Sequence, residues 1–134
     1  MLNPFPELLT FSLISPLILR VVAGLIFINT GYLKTGKEKQ RWAIFFNSIR
    51  LRPAKQVAFA VGIIEIIAGT LLVVGLYTQY VCIALLILTA KEWYVEYKED
   101  VLVARDIVFY TLIGAILLSL LLTGAGFLAL DLPL

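Results

Sequence analysis

The sequence predicts an all-α protein: a bundle of four transmembrane helices, with a short amphipathic helix at the membrane interface between spans one and two. Hydrophobic residues make up 61% of the 134-residue chain, against roughly half in a soluble domain. They gather in four runs, each near the ~20 residues that a helix needs to cross a bilayer. No long soluble segment is left over, so residues 1–134 are predicted to form a single transmembrane domain.

The four spans are placed by the apolar runs and by the breaks between them. They cover about residues 15–34, 57–76, 78–97 and 102–123. A tight polar break at Gly75–Tyr80 separates spans two and three. Gly124 and Gly126 end the fourth span, because glycine often follows the C-terminus of a helix.

The basic residues predict the orientation. Of the eleven lysines and arginines, seven lie in the segment Lys34–Lys55, between spans one and two. Three more, Lys91, Lys98 and Arg105, lie near the junction of spans three and four. Because cytoplasmic loops are enriched in lysine and arginine, both termini are expected outside the cell membrane and both basic connections in the cytoplasm. The lipid bilayer is then the expected partner, and a net charge of +2 with this distribution indicates no nucleic acid.

The connection between spans one and two contains its own helical pattern. In the stretch RWAIFFNSIRLRP, the apolar residues Trp42, Phe45, Phe46 and Ile49 recur at helical spacing. This predicts an amphipathic helix in the cytoplasmic interface, with Pro53 marking its end. The alternative is a membrane-anchored loop with no other role.

A glutamate lies in the middle of the second span. Glu65 shares one helical face with three small residues, Ala58, Gly62 and Gly69. Small residues on one stripe let another helix approach closely, so Glu65 is expected to face a partner helix rather than lipid. The first span has a similar stripe, which contains Arg20, Gly24, Gly31 and Lys34.

Depth along the helices predicts a polar cluster in the cytoplasmic half of the bundle. With a rise of about 1.5 Å per residue, Glu65 and Lys91 lie at similar depths, which makes them the favoured ion pair. Glu92 and Asp106 lie nearby, and Arg20, toward the outer side, is a less direct partner. The candidate ligand-binding residues are Glu65, Lys91, Asn29, Lys34, Arg105 and Arg20.

The role of this cluster stays open between two interpretations. A buried ion pair that only fixes helix register is one, and a site that handles a ligand, a quinone or a proton is the other. The sequence has no histidine, which removes the usual haem and zinc ligands, so no haem or metal is expected. A quinone remains possible, and no catalytic residue is assigned.

Three stretches resemble the DoxX family of small four-helix membrane proteins. They are LILRVVAGLIFINTGYLK (17–34), IIEIIAGTLLVVGLYTQ (63–79) and GAGFLALD (124–131). The resemblance marks Arg20, Lys34, Glu65, Gly69 and Asp131 as family-motif positions. Two departures stand out: Ala129 replaces a frequent serine, and Lys91-Glu-Trp-Tyr lies where many members have an apolar stretch followed by histidine.

The resemblance implies a function linked to membrane redox chemistry. The family is named for a likeness to subunits of a thiosulfate:quinone oxidoreductase, and some members are linked to membrane oxidoreductase complexes and to redox or sulfur stress. The expectation is therefore a membrane subunit of a quinone- or sulfur-linked redox assembly that catalyses no complete reaction alone. The alternative is a non-catalytic membrane scaffold or a small-molecule carrier. Homo-oligomerisation stays open.

Overall fold

The computed structural model describes residues 7, 11–12, 14–98, 107–126 and 128–130. This part of the chain is all-helical, as predicted, and contains no strand. Its five helices are α1 (Ile14–Thr35), α2 (Lys39–Ser48), α3 (Ala54–Val74), α4 (Thr78–Lys98) and α5 (Ile107–Thr123).

Two of these helices, α1 and α3, are long and apolar enough to cross a membrane. Helix α5 is apolar but has 17 residues, and the second half of α4 carries charged side chains. The count of four spans therefore remains a prediction. Large apolar side chains on α1, α3, α4 and α5 are exposed on the outside of the bundle, for example Ile18, Ile64, Ile87 and Leu112. Such extensive apolar exposure is typical of a surface that contacts lipid.

The break between α3 and α4 is set by Gly75. Helix α3 ends at Val74, because Gly75 takes a left-handed conformation with φ 77°. The N–H of Leu76 then bonds to the Leu71 carbonyl at 3.0 Å, and the N–H of Gly75 bonds to the Leu72 carbonyl at 3.1 Å. This is the Schellman pattern of helix ends, and the helix stops two residues before the predicted limit of 76.

Helix α2 ends earlier than predicted, and Pro53 does not end it. The helix stops at Ser48, because Arg50 takes a left-handed conformation with φ 61° and turns the chain. The N–H of Leu51 bonds back to the Phe46 carbonyl at 3.0 Å. Pro53 instead directly precedes α3, a position where its missing N–H is not needed.

The apolar face of α2 packs on protein. Of the four residues predicted on this face, three are buried: Trp42, Phe45 and Phe46. They form an apolar cluster with Ala58 of α3 and Val95 of α4. The fourth, Ile49, lies at the end of the helix and is 37% exposed. The aromatic rings of α2 therefore cover the end of the bundle at which α1 ends and α3 begins.

Helices α1 and α3 make the closest contact in the bundle. They run antiparallel, with Gly31 opposite Gly62 and Gly24 opposite Gly69. A methyl group on Gly62 would lie 2.8 Å from the Gly31 carbonyl oxygen, and one on Gly69 would lie 2.6 Å from the Gly24 carbonyl oxygen. The predicted small-residue stripes therefore meet each other, and the two backbones approach with no room for a side chain.

The second helix pair is α4 with α5, and it packs against the first pair through an apolar core. This core contains buried residues from all four long helices, including Phe27, Leu72, Leu85 and Leu117. Between this core and the aromatic cluster under α2 lie the buried charged side chains of Lys34, Glu65 and Glu92.

The glycine contact predicts a strong position dependence for alanine substitution. Gly69→Ala is expected to lower the free energy of unfolding by about 1–3 kcal/mol, because the new methyl group overlaps the backbone of α1. The control is Gly114→Ala on α5, where an added methyl group meets nothing within 4 Å. Unfolding in mixed micelles, followed by circular dichroism, measures both. Equal stability of the two variants would contradict the close α1–α3 contact.

Candidate functional site

The centre of the polar layer is the amino group of Lys34. Its Nζ donates to one carboxylate oxygen of Glu65 on α3 and to one of Glu92 on α4. The hydroxyl of Thr30 donates to the second oxygen of Glu65 over 3.1 Å. Lys34 is 0% exposed, Glu65 1% and Glu92 7%. We call these four residues the Lys34 cluster; they join α1, α3 and α4.

The antiparallel arrangement of α1 and α3 explains why Lys34 reaches Glu65. From the facing glycines, Lys34 lies roughly 9 Å along the helix axis from the level of Glu65. Side chains on a helix lean toward its N-terminus. On antiparallel helices, Lys34 and Glu65 therefore lean toward each other, and their combined length closes the gap.

Helix α2 covers the remaining side of the ammonium group. The Lys34 Nζ lies 4.0 Å from the centre of the Trp42 ring, which is itself 1% exposed. A cation over a tryptophan face is attracted by the ring electrons. The N–H donors of Lys34 are thus directed at two carboxylates, while an aromatic ring separates the ammonium from the solvent side.

The predicted ion pair between Glu65 and Lys91 is wrong, because Lys34 occupies that place and Lys91 is exposed. The prediction compared the depths of Glu65 and Lys91 in the membrane, but it did not compare the directions in which side chains leave α4. The buried face of α4 includes Leu85, Thr89 and Glu92, which are separated by four and three residues. Lys91 is rotated from Glu92 by about 100°, so it points out of the bundle. The spacing of four and three residues from Leu85 to Thr89 to Glu92 is the sequence signal that places Glu92 on the buried face.

Other predicted residues lie away from the cluster or outside the described residues. Asn29 is exposed on α1, one residue from Thr30. Arg105 lies outside the described residues, as do Asp106 and Asp131. Thr30 was missed, although it precedes Lys34 by four residues and so shares its helical face. Trp42 was predicted as part of the apolar face of the interfacial helix, but not as a neighbour of Lys34.

Arg20 lies at the opposite end of the bundle, near the turn between α3 and α4. Its guanidinium nitrogens donate to the carbonyl oxygens of Ala125 at 2.8 Å and Leu128 at 3.3 Å. It also packs against Gly75 and is 1% exposed. Arg20 therefore ties the segment after α5 to the end of α3, and it does not join the Lys34 cluster.

A small cavity of about 10 Å³ adjoins the cluster, enough for about one water molecule. Its polar lining consists of Thr30, Glu65, Thr89 and Glu92. The rest of the lining is mainly apolar or aromatic: Ile26, Phe27, Phe109, Tyr110 and Ile113. The cavity is therefore faced by carboxylates, and Lys34 is not among its lining residues.

The cluster contains two carboxylates for one ammonium group. With all three groups ionised, it carries one negative charge in excess. Carboxylates accept hydrogen bonds and donate none when ionised, and each oxygen can accept more than one. The arrangement can therefore receive a hydrogen-bond donor, a proton or a cationic group from the cavity side. Within the described ranges, no group of three His, Cys, Asp or Glu side chains could hold a metal ion.

A comparison with protein families gives one match. The model of the DoxX family matches residues 15–96, more than half of the 134 residues. The matched segment contains α2, α3 and most of α1 and α4, and with them the whole Lys34 cluster. The chain has no match among curated proteins and none among solved structures. The family match and the apolar helices indicate a membrane protein.

The cluster predicts that two lysines differ sharply in their effect on stability. Lys34→Met leaves two buried carboxylates without their cation and is expected to lower the free energy of unfolding by about 3–5 kcal/mol. Lys91→Met changes an exposed side chain and is expected to stay within about 0.5 kcal/mol of the parent. Denaturation in mixed micelles measures both. A Lys34→Met variant as stable as Lys91→Met would contradict the shared ion pair.

Proposed function

Since the chain belongs to the DoxX family, we propose that it is a four-span subunit of a membrane redox assembly. In this proposal the Lys34 cluster is the polar end of a site for a quinone-type molecule. The observation that carries it is the burial of one ammonium and two carboxylates beside a small cavity lined by both acids.

The second carboxylate is what a purely structural role leaves unexplained. Lys34 and Glu65 alone form a neutral pair between α1 and α3, and the glycines already hold those two helices in contact. Glu92 adds a negative charge in apolar surroundings, where an uncompensated charge is unfavourable by several kcal/mol in order of magnitude. A carboxylate retained under these conditions supports a role in receiving a proton or a hydrogen-bonding ligand.

The redox centre itself belongs, in this proposal, to partner subunits of a quinone- or sulfur-linked assembly. The chain supplies a bilayer-embedded site for the lipid-soluble reactant. It lies in the cell membrane with α1, α3, α4 and α5 as its spans. Both termini lie outside, and the basic connections lie in the cytoplasm, as the positive-inside rule favours.

Cysteine labelling tests this topology. In a Cys82→Ala background, Gln79→Cys in the first turn of α4 is expected to react with a membrane-impermeant maleimide added to intact cells. Lys37→Cys between α1 and α2 is expected to react only after permeabilisation. Both positions are exposed, and native Cys82 is buried. The reverse pattern would overturn the orientation, and labelling of both positions in intact cells would overturn the span assignment.

The site is tested by removing the charge of Glu92 while keeping its shape. Glu92→Gln leaves the pair of Lys34 and Glu65 in place, so the fold is expected to persist. Binding of a short-chain quinone/quinol pair to the protein in nanodiscs is expected to weaken by about tenfold, because the ligand loses a charged acceptor. Lys91→Gln, one residue away and exposed, is the matched control and is expected to bind normally.

The same experiment separates this function from a scaffold. Binding by neither the parent nor the variants would overturn the quinone-type site. In that case, co-purification of partner membrane proteins unchanged by Glu92→Gln would favour a non-catalytic scaffold. Binding by the parent that is equally strong in Glu92→Gln would exclude the cluster as the polar end of the site.

A further inference from the structure

A groove of about 250 Å³ lies between α4 and α5 on the outer surface of the bundle. Its lining is mostly apolar and consists of Leu86, Thr89, Ala90, Trp93, Tyr110, Thr111 and Gly114. A closed cavity of about 150 Å³ is enough to hold benzene, so the groove has room for a substituted six-membered ring. It opens sideways, toward the surface that the exposed apolar side chains mark as lipid-facing.

The groove and the small cavity share a wall. Thr89 and Tyr110 line both spaces, and they are the two residues that the described linings share. On the inner side of these two residues lie the carboxylates of Glu65 and Glu92. One water molecule in the cavity would therefore contact both this shared wall and the carboxylates of the Lys34 cluster.

The polarity of the cavity restricts the head group that fits there. The Lys34 ammonium donates to Glu65 and Glu92 and lies against the Trp42 ring, and it is not part of the cavity lining. A ligand in the groove meets the side chains of Thr89 and Tyr110 first, and behind them the small cavity presents the acceptor oxygens of the two carboxylates. Ionised carboxylates attract a donor such as a hydroxyl group and disfavour a second acceptor such as a ketone oxygen.

We propose that the groove between α4 and α5 is a lateral binding site for a lipid-soluble hydroquinone, whose hydroxyl group donates toward Glu65 and Glu92 past Thr89 and Tyr110. This deepens the proposed function and rests on it. The reduced molecule is the preferred ligand, because it carries hydroxyl donors where the oxidised quinone carries only acceptors. The ring lies in the apolar groove, and its alkyl tail extends into the bilayer.

Gly114 offers a clean way to block the groove. It lines the groove on α5, yet a methyl group added to it would meet no atom within 4 Å. Gly114→Leu therefore places its first side-chain carbon in open space, and the rest of the side chain is expected to fill the groove. Ala115→Leu enlarges an exposed neighbour on the same helix and is the matched control. Ala90→Leu fills the groove from the α4 side and gives a second, independent block.

The experiment compares three probes in nanodiscs that contain the full chain, with empty nanodiscs subtracted. The probes are decylbenzohydroquinone kept reduced under nitrogen, its dimethyl ether, and the matching decylbenzoquinone. The parent is expected to bind the hydroquinone about tenfold or more tightly than the other two, as expected for a hydrogen bond to a charged acceptor. Gly114→Leu and Ala90→Leu are expected to weaken hydroquinone binding by at least about tenfold, since they occupy the space of the ring.

Each outcome decides a separate point. Equal or tighter binding of the quinone or the dimethyl ether would overturn the donor preference while leaving the proposed function in place. Unchanged hydroquinone binding in both groove-filling variants, or equal loss in Ala115→Leu, would overturn the lateral site. Binding of none of the three probes by the parent would overturn the proposed function itself.

Discussion

One ammonium group shared between two buried carboxylates is the contact on which the polar layer of the bundle depends. Lys34 takes part from α1, Glu65 from α3 and Glu92 from α4, while Trp42 of α2 covers the ammonium group. Four of the five described helices are therefore connected through one nitrogen atom. Replacing Lys34 alone leaves two buried carboxylates without their cation, which is much less favourable than replacing all three charged residues by apolar ones.

The rest of the fold makes this contact possible in a simple physical way. Facing glycines bring α1 and α3 so close that their side chains interleave at fixed levels. The antiparallel direction of the two helices then makes Lys34 and Glu65 lean toward each other. At the opposite end, Arg20 binds two backbone carbonyls of the segment after α5. The two buried cations of α1 thus lie at different ends of the bundle: Lys34 binds side-chain carboxylates, and Arg20 binds main-chain carbonyls.

The sequence predicted the helices and, as candidate site residues, two of the four members of the Lys34 cluster, Lys34 and Glu65. Glycine spacing identified the contact face of α3, and that face predicted the inward direction of Glu65. The partner on α4 was assigned from depth alone, which cannot separate Lys91 from Glu92 because they differ by about 1.5 Å in height but by about 100° in direction. The end of α2 could not be predicted from the sequence pattern either, because Arg50 takes the left-handed conformation that glycine usually takes after a helix. Arg105 and Asp131 lie outside the described residues.

The distribution of the cluster over the helices has a consequence for how the chain is built. The N-terminal half, α1 to α3, contains one buried cation and one buried anion in its polar layer, and these neutralise each other. Proteins are synthesised from the N-terminus, so this half exists before α4 does. The first hairpin can therefore enter the bilayer with its charges already matched. The C-terminal half carries the acid that this hairpin does not require, and with it the groove and the shared wall. Under the proposed function, the matched charge pair and the ligand site therefore belong to successive parts of the chain.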